Sequence, residues 1–463
     1  MTGQKPREIA VRVLGERRHS ADYTEKLLDR ALARTKLSPA DRGLAQELVA
    51  GIVRWQSTLD WLIAGKTQER QQKPGLQDLL RLGLYQIFWL DRIPDHAAVH
   101  ETVALARQRG YGRQAGFINA VLRSYLRAAA TTRDRLAELK IRNPAVGLSH
   151  PQWLVTRWEK QFGADATRRL LELHNTPPRS YARINSLNFG RVRATAGRPA
   201  DIATIADFLA LWREENVQYR FFTRDWTGEN LVFELQAHPP LPTLGSFQQG
   251  WFYIQDPSTL LAVRELEPQP GETVLDLCAA PGGKTTYVAQ LMNNTGRIVA
   301  ADAVPARLKL VAENCRRLGI TCCVASSPEE ALAGPSPVYD RILVDAPCSN
   351  TGVLRRRVDL RWRVRAAEIS RLSHQQKTLL RQAATHLKSG GLLVYSTCSL
   401  EPEENTQVVR HFLRTHPEFK LERERQLLPF ADGTDGAYVA RLRKGGSAPG
   451  DARAGRLPVT ASH

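Results

Sequence analysis

The sequence lacks several patterns that define common protein classes. No run of apolar residues approaches the roughly 18–20 needed to cross a bilayer, and the opening stretch, MTGQKPREIAVRVL, contains no apolar signal segment. The 6 cysteines form no C-x-x-C pair, which argues against a zinc site and a disulfide framework. We therefore expect a cytoplasmic protein without membrane contact, bound metal or disulfides, and we expect it to be monomeric.

Acidic residues are too few to balance the basic ones. The chain has 65 Lys and Arg against 47 Asp and Glu, which gives a formal charge of +18. Such an excess favours a polyanionic partner, most commonly nucleic acid, although a strongly solvated surface is an alternative explanation. The 463 residues suggest about three domains at roughly 150 residues each.

The spacing of apolar residues changes along the chain, and this change predicts a multidomain fold. Residues 1–145 have apolar residues at helical spacing and predict an all-α domain, residues 146–250 predict a small α+β module, and residues 445–463 lack a core-forming pattern. In residues 251–444, short apolar strands alternate with helices, which predicts a parallel α/β sheet of the Rossmann-like type. The predicted strands are 273–277, 297–302, 321–326, 341–347 and 391–398.

The usual phosphate-binding patterns are also missing around the first predicted strand of the α/β region. The stretch LDLCAAPGGKTTYVAQL contains a strand, a glycine loop and a helix, but it has Cys278 where a P-loop needs its first glycine, and G-x-G-x-x-G is absent. Asp302 ends the next strand, where an acid can bind ribose hydroxyls. These features favour a nucleoside without a phosphate chain, such as S-adenosylmethionine. Alternatively, Gly282 and Gly283 only make a tight turn and Asp302 caps a helix.

Two cysteines follow predicted strands at the edge where α/β sheets bind ligands. Cys348 comes after the fourth strand and Cys398 ends the fifth, so neighbouring strands would bring both thiols into one pocket. A thiolate that adds to carbon 6 of a pyrimidine makes carbon 5 nucleophilic enough to accept a methyl group. From the residues alone, either thiol could be the nucleophile. Pro402 predicts that a helix begins after Cys398. The dipole of that helix would favour the thiolate form of Cys398.

An arginine-rich segment follows Cys348. Seven arginines lie between Arg355 and Arg371, with Trp362 among them. Arginines can bind phosphates, and an exposed aromatic ring can stack on an unpaired base. The segment is therefore either an RNA-facing surface or a solvated basic helix face.

Three motifs occur in order along the chain: CAAPGGK at 278–284, DAPCSNTG at 345–352 and STCSLEPEEN at 396–405. Together they resemble the RsmB/Nop/Sun family of RNA cytosine carbon-5 methyltransferases, in particular its bacterial RsmB type. The N-terminal part resembles the NusB-type RNA-binding module, with GFINAVLRSY as a good match. The resemblance covers the chain except for its last residues.

The resemblance implies an enzyme that methylates small-subunit (16S) ribosomal RNA with S-adenosylmethionine. It also implies that Cys398 is the nucleophile and that Cys348 assists product release. The cofactor-binding residues that it implies are Cys278, Ala279, Ala280, Pro281, Gly282, Gly283, Lys284, Asp302 and Asp345.

Two stretches depart from the family pattern. Arg357-Val358 stands where the arginine segment of the family commonly has His-Pro, and we expect little effect from this change. Ser327 stands near the place where the family usually has an acid that binds the adenosine moiety, so Glu329 or Glu330 would have to substitute. Two other functions are alternatives: a non-catalytic RNA-binding assembly factor on the same fold, and a DNA cytosine methyltransferase, against which the NusB-like part speaks.

Overall fold

The computed structural model describes residues 4–189, 202–336 and 338–445. The predicted disordered tail at 445–463 thus lies, apart from Gly445, outside the described residues. The chain divides into two compact units, Met1–Pro178 with Val353–Arg365, and Arg179–Gly352 with Ala366–His463. These units do not coincide with the domain boundaries at 145 and 250, which stay predictions. Within the described ranges, no helix combines the length and apolar character needed to span a membrane.

The first unit is built from α-helices, as the helical spacing predicts. Helix α3 begins at the expected signal, because the Ser38 Oγ accepts a hydrogen bond from the Asp41 backbone N–H at 3.1 Å and Pro39 occupies the first turn. Numbered along the whole chain, its helices are α1 (Gln4–Arg17), α2 (Thr24–Ala33), α3 (Pro39–Arg54), α4 (Gln56–Ala64), α5 (Pro74–Trp89), α6 (Asp95–Gln108), α7 (Ala115–Arg127), α8 (Ala129–Arg142), α9 (Pro144–Gly147), α10 (Gln152–Phe162), α11 (Ala164–His174) and α18 (Leu360–Arg363).

Much of the arginine-rich segment lies inside this helical unit. Arg361 is 0% exposed, and its guanidinium donates hydrogen bonds to the carbonyl oxygens of Ser149 and His174, each at 3.1 Å. Trp362 is half-buried, and its indole N–H donates to the Val53 carbonyl oxygen at 2.7 Å. Trp362 therefore lacks the fully exposed ring that the RNA-facing interpretation requires. A count of arginines cannot distinguish solvated cations from cations that satisfy buried carbonyl groups.

Asp359 is a second anchor of the same segment. Its buried carboxylate accepts hydrogen bonds from the Arg17 Nε at 2.5 Å and from the Thr24 backbone N–H at 3.1 Å, and it pairs with the Arg363 Nε at 2.8 Å. Arg357 is exposed, so it can still contact a phosphate.

The second unit contains a small antiparallel sheet with an aromatic core. Strands β1 (Ser180–Ile184), β2 (Gln218–Phe222), β3 (Val232–Ala237) and β4 (Phe252–Ile254) lie in the order β2-β3-β1-β4. Helices α12 (Ile205–Glu214) and α13 (Gly245–Gln248) belong to the same module. Phe208, Trp212, Phe233 and Phe252 are all 0% exposed and pack together. The sheet agrees with the predicted α+β module.

The larger sheet of this unit has seven strands and is mostly parallel. Their order is β10-β11-β9-β8-β5-β6-β7, with β5 to β9 parallel and the edge pair β10 and β11 antiparallel. The strands are β5 (Thr273–Leu277), β6 (Arg297–Ala301), β7 (Cys323–Ser326), β8 (Tyr339–Asp345), β9 (Leu387–Thr397), β10 (Phe419–Leu427) and β11 (Ala437–Lys444). The helices are α14 (Leu260–Leu266), α15 (Gly283–Leu291), α16 (Pro305–Leu318), α17 (Pro328–Ala331), α19 (Ala366–Thr385), α20 (Thr406–Thr415) and α21 (Pro429–Asp432).

The predicted α/β fold is confirmed, and the five predicted strands correspond to β5 to β9. Because these strands are parallel, their carboxyl ends meet at one edge of the sheet. The loops after β5, β6, β8 and β9 carry the motifs CAAPGGK, Asp302, DAPCSNTG and STCSLEPEEN. The topology thus brings the predicted site residues to a common edge.

Candidate active site

The loop after β5 turns sharply into helix α15. Gly282 has a φ of 100°, and a Cβ on it would lie 3.3 Å from Val311, so both the backbone and the space favour glycine. The Ala279 N–H donates to the Ala301 carbonyl oxygen on the neighbouring strand β6 at 2.8 Å. These contacts fix the loop, in which Cys278 and Pro281 also lie, at the amino end of α15.

Asp302 lies directly after β6 and is 2% exposed. Its carboxylate accepts hydrogen bonds from the backbone N–H groups of Ala280 at 3.3 Å and Val304 at 3.0 Å, and it pairs with Arg307 at 3.2 Å. The Arg307 guanidinium also donates to the Ala280 carbonyl oxygen at 2.7 Å. These contacts tie Asp302 to the glycine loop and to the start of α16, as the alternative of a tight turn and a helix cap describes, and its contact with ribose hydroxyls stays a prediction. Arg307 was missed by sequence reasoning.

Lys284, at the start of α15, forms an ion pair with Asp345 at the end of β8. The Lys284 Nζ lies 2.6 Å from the Asp345 Oδ2, and the Ser396 Oγ donates to the Asp345 Oδ1 at 2.8 Å. Burial acts to lower the pKa of Lys284, but the Asp345 carboxylate outweighs burial, with further contributions from Asp276 and Cys398, so the pKa is raised. Lys284 therefore holds a positive charge near the Cys398 sulfur.

The two predicted thiols lie in contact. Strands β8 and β9 are neighbours, and the Sγ atoms of Cys348 and Cys398 are 3.3 Å apart. The Cys398 Sγ also lies 3.0 Å from the Asn350 Oδ1. The hydrogen bond between the two thiols, together with burial, raises the pKa of Cys348 well above the usual range of a thiol. Cys348 therefore keeps its proton and can donate it to the Cys398 sulfur.

A buried carboxylate connects the two cysteine loops. Glu404 is 0% exposed and accepts hydrogen bonds from the Ser349 backbone N–H at 2.8 Å, the Ser399 Oγ at 2.5 Å and the Gln376 Nε2 at 3.1 Å. The Ser349 Oγ donates to it as well. Ser349 follows Cys348, and Ser399 follows Cys398. Burial raises the pKa of Glu404 while these donors oppose the rise. Sequence reasoning gave Glu404 no such role.

A second buried carboxyl group lies under the cofactor loop. Asp276, on β5, is 0% exposed, and its Oδ2 accepts a hydrogen bond from the Thr285 Oγ1 at 2.6 Å. No protein donor reaches its Oδ1 in the described part of the chain. Burial raises the pKa of Asp276 to about 7, with the nearby Asp345 carboxylate acting in the same direction. Burial likewise raises the pKa of Cys278 to about 12, so this thiol is not activated.

One local expectation needs correction. Helix α20 begins at Thr406 rather than at Pro402, because residues 402–405 form a turn that presents Glu404 to the cysteine loops. Its amino end therefore does not directly follow Cys398.

Ser327 caps α17, and its N–H donates to the Glu330 carboxylate at 3.1 Å in a capping box. The substitution of Glu329 or Glu330 for the missing acid stays a prediction.

The donor and acceptor set fits S-adenosylmethionine. Its ribose hydroxyls and ammonium group need acceptors, and its sulfonium is positive. Asp302 and Asp345 lie at the carboxyl edge of the sheet, and each Asp345 oxygen accepts from a single protein donor, Lys284 or Ser396, so each keeps a lone pair for a ligand. Within residues 4–189, 202–336 and 338–445, no group of three His, Cys, Asp or Glu side chains has the arrangement of a metal site.

Comparisons with known proteins match the fold and give the family. The family model of 16S rRNA methyltransferase RsmB/F matches residues 263–443, the range that contains both cysteines. The probable ribosomal RNA small subunit methyltransferase B of Bacillus subtilis is 35% identical over 461 residues, with 95% of this chain and 99% of that protein covered. The chain belongs to the RsmB/F methyltransferase family.

Other matches cover the remaining parts of this family member. The NusB family model matches residues 4–127, and the ferredoxin-like domain of RsmF/B methyltransferases matches residues 150–196. The chain thus has a NusB helical domain, a ferredoxin-like module and a methyltransferase domain. The ribosomal RNA small subunit methyltransferase B of Vibrio vulnificus is 35% identical, with 89% of this chain and 93% of that protein covered.

Solved structures show the same architecture. The crystal structure of PH0851 has a TM-score of 0.73 and 25% identity, and the match covers 95% of this chain and 99% of that one. A methyltransferase homolog protein from Pyrococcus horikoshii has a TM-score of 0.54 and 29% identity, with 65% of this chain and 97% of that one covered.

Proposed function

We propose that the protein transfers a methyl group from S-adenosylmethionine to carbon 5 of a cytosine in small-subunit ribosomal RNA. The observation that carries this proposal is the 3.3 Å contact between the Cys348 and Cys398 sulfurs beside the Lys284–Asp345 pair. The family membership and the names of the relatives support ribosomal RNA as the substrate class. The net charge of +18 suits the same partner.

In the proposed reaction, the Cys398 thiolate adds to carbon 6 of the cytosine and forms a carbon–sulfur bond. The electron pair of the 5,6 double bond then becomes available at carbon 5, which takes the methyl group that S-adenosylmethionine supplies. A base then takes up the carbon 5 proton, the carbon–hydrogen electron pair re-forms the 5,6 double bond, and the carbon–sulfur pair returns to Cys398 as the thiolate. Cys348 is suited to assist this last stage, because it keeps a proton next to the leaving sulfur.

We assign cofactor binding to the loop Cys278–Lys284 together with Asp302 and Asp345. In this proposal Asp302 accepts from the ribose hydroxyls, a role that its position directly after β6 supports. Asp345 is held by Lys284 and Ser396 and presents negative charge at the same edge of the sheet.

Transfer of tritium from methyl-labelled S-adenosylmethionine to unmethylated 16S ribosomal RNA tests the proposal. We expect label in RNA, located at 5-methylcytosine after nuclease digestion, and no label in duplex DNA. Binding of RNA without label transfer would instead identify a non-catalytic assembly factor, and label at another base atom would refute carbon-5 chemistry.

A further inference from the structure

We propose that Glu404 is a positioning residue that sets the contact between Cys348 and Cys398. Its carboxylate joins the residue after one cysteine to the residue after the other, although these cysteines lie in loops that follow different strands. The consequence for turnover rests on the proposed function, whereas the contact between the sulfurs does not.

The first argument is the direction of the hydrogen bonds. Glu404 Oε1 accepts from the Ser349 backbone N–H, and Oε2 accepts from the hydroxyls of Ser349 and Ser399. The Gln376 Nε2 donates both to Oε1 at 3.1 Å and to the Pro347 carbonyl oxygen at 2.9 Å, which fixes the loop on the other side of Cys348. The Glu404 carboxylate and the Gln376 amide therefore together hold the backbone on both sides of Cys348.

The second argument is that Glu404 itself is rigidly held. The Tyr395 hydroxyl, on strand β9, donates to the Glu404 carbonyl oxygen at 2.6 Å. The adjacent Asn405 donates to the Ser399 carbonyl oxygen at 2.9 Å and accepts from the Thr397 hydroxyl at 2.6 Å. The turn at 402–405 is thus fixed to the strand that ends in the Cys398 loop, so its carboxylate is a fixed point for the Cys348 loop.

The third argument is the energetic cost of this arrangement. A fully buried carboxylate is unfavourable unless several donors satisfy it, and this one has no cation among the contacts described above. Its donors are two serines and a glutamine, and both serines are next to the thiols. A site that only stabilised the fold could use apolar packing here, so we infer that the carboxylate serves the geometry of the thiols.

The inference is tested by oxidising the full-length protein with diamide, without RNA or S-adenosylmethionine. Diamide takes up the two thiol hydrogens and leaves a disulfide between Cys348 and Cys398, which peptide mass spectrometry measures over time. We expect Glu404→Ala to slow this reaction about tenfold or more, since the loops lose their common anchor. Glu404→Gln keeps the shape and two acceptor lone pairs, and we expect it to restore most of the rate.

Two controls keep the test decisive. Glu418→Ala removes an exposed carboxylate from the same unit and should leave the rate unchanged. If Glu404→Ala does not fold, the double variant Ser349→Ala with Ser399→Ala removes the two hydroxyls and leaves the carboxylate in place; it should slow disulfide formation in the same direction. A folded Glu404→Ala protein, or a folded double-serine variant, that forms the disulfide at the wild-type rate would overturn the inference.

Turnover provides a second measurement that a purely structural role would not change. With RNA and S-adenosylmethionine present, we expect Glu404→Ala to accumulate the covalent protein–RNA complex, as we also expect of Cys348→Ala, and combining the two changes should add nothing further. Slower disulfide formation without complex accumulation would leave the positioning role intact and would refute the proposed part of Cys348 in resolving the adduct.

Discussion

The sulfur atoms of Cys348 and Cys398 lie 3.3 Å apart at the ends of neighbouring parallel strands. The protonated Cys348 thiol faces the Cys398 sulfur, and Lys284 holds a positive charge nearby. In the proposed reaction the two thiols have unequal roles. Cys398 attacks, and Cys348, which keeps its proton, donates a hydrogen bond to the Cys398 sulfur.

Asp302→Asn tests the assignment of the cofactor site. A hydrogen bond to a charged acceptor contributes about 1.5–3 kcal/mol, so loss of the charge should raise the Kd for S-adenosylmethionine roughly tenfold or more. Isothermal titration calorimetry measures this directly. Glu313→Gln, an exposed position on α16, is the matched control and should bind like the wild type. Equal affinity in all three proteins would show that Asp302 only shapes the loop.

Asp276→Asn tests the buried carboxyl group under the loop. Its pKa is raised to about 7 in the folded protein, against about 3.9 for an unfolded Asp. Between about pH 4 and 7, Asp276 is therefore protonated in the folded state and ionised in the unfolded state. As pH rises through this range, the free energy of unfolding of the wild type should fall relative to that of the variant. The change should be on the order of 3 kcal/mol.

Urea unfolding of both proteins between pH 4.5 and 7.5 measures this difference. Asn keeps an acceptor for the Thr285 hydroxyl, so the comparison isolates the charge. A difference that does not change with pH would mean that Asp276 ionises normally in the folded protein.

Arg361→Ala tests the interior position of the arginine-rich segment. Arg361 donates to four oxygen atoms: the carbonyl oxygens of Arg54, Ser149 and His174, and the side-chain oxygen of Asn175. Its removal leaves these acceptors buried, and we expect a loss of about 3 kcal/mol or more in the free energy of unfolding. Arg357→Ala changes an exposed arginine of the same segment and should cost little stability.

The salt dependence of RNA binding separates this explanation from a phosphate contact. Folded Arg361→Ala protein should keep the wild-type slope of log K against log salt. Unchanged stability with a reduced slope would instead place Arg361 at the RNA.

The sequence predicts much of this architecture because the relevant signals are local. The run TVLDL coincides with β5, and the serine–proline signal at Ser38 marks the start of α3. The parallel strand ends explain why two distant cysteines meet. The antiparallel strands β10 and β11 were not predicted, because FKLERERQL carries many charged residues along an edge strand.

Other features depend on contacts between distant parts of the chain. Arg361 looks like any surface arginine until the carbonyl groups of His174 and Ser149 are placed around it. Glu404 lies within a recognisable motif, but its partner Ser349 is 55 positions away in the sequence. No residue pattern in either loop predicts this contact. Propensity and spacing carry no information about such pairings.

The most direct test of the central claim is the covalent complex between protein and RNA. Labelled 16S ribosomal RNA is incubated with S-adenosylmethionine and each cysteine variant, and the denatured mixtures are separated by electrophoresis. We predict that Cys348→Ala accumulates a labelled complex, because the adduct forms but is resolved slowly. Cys398→Ala should form no complex and should lose methyl transfer. An active Cys398→Ala protein, together with a Cys348→Ala protein that forms no adduct, would contradict the account and reverse the roles of the two thiols.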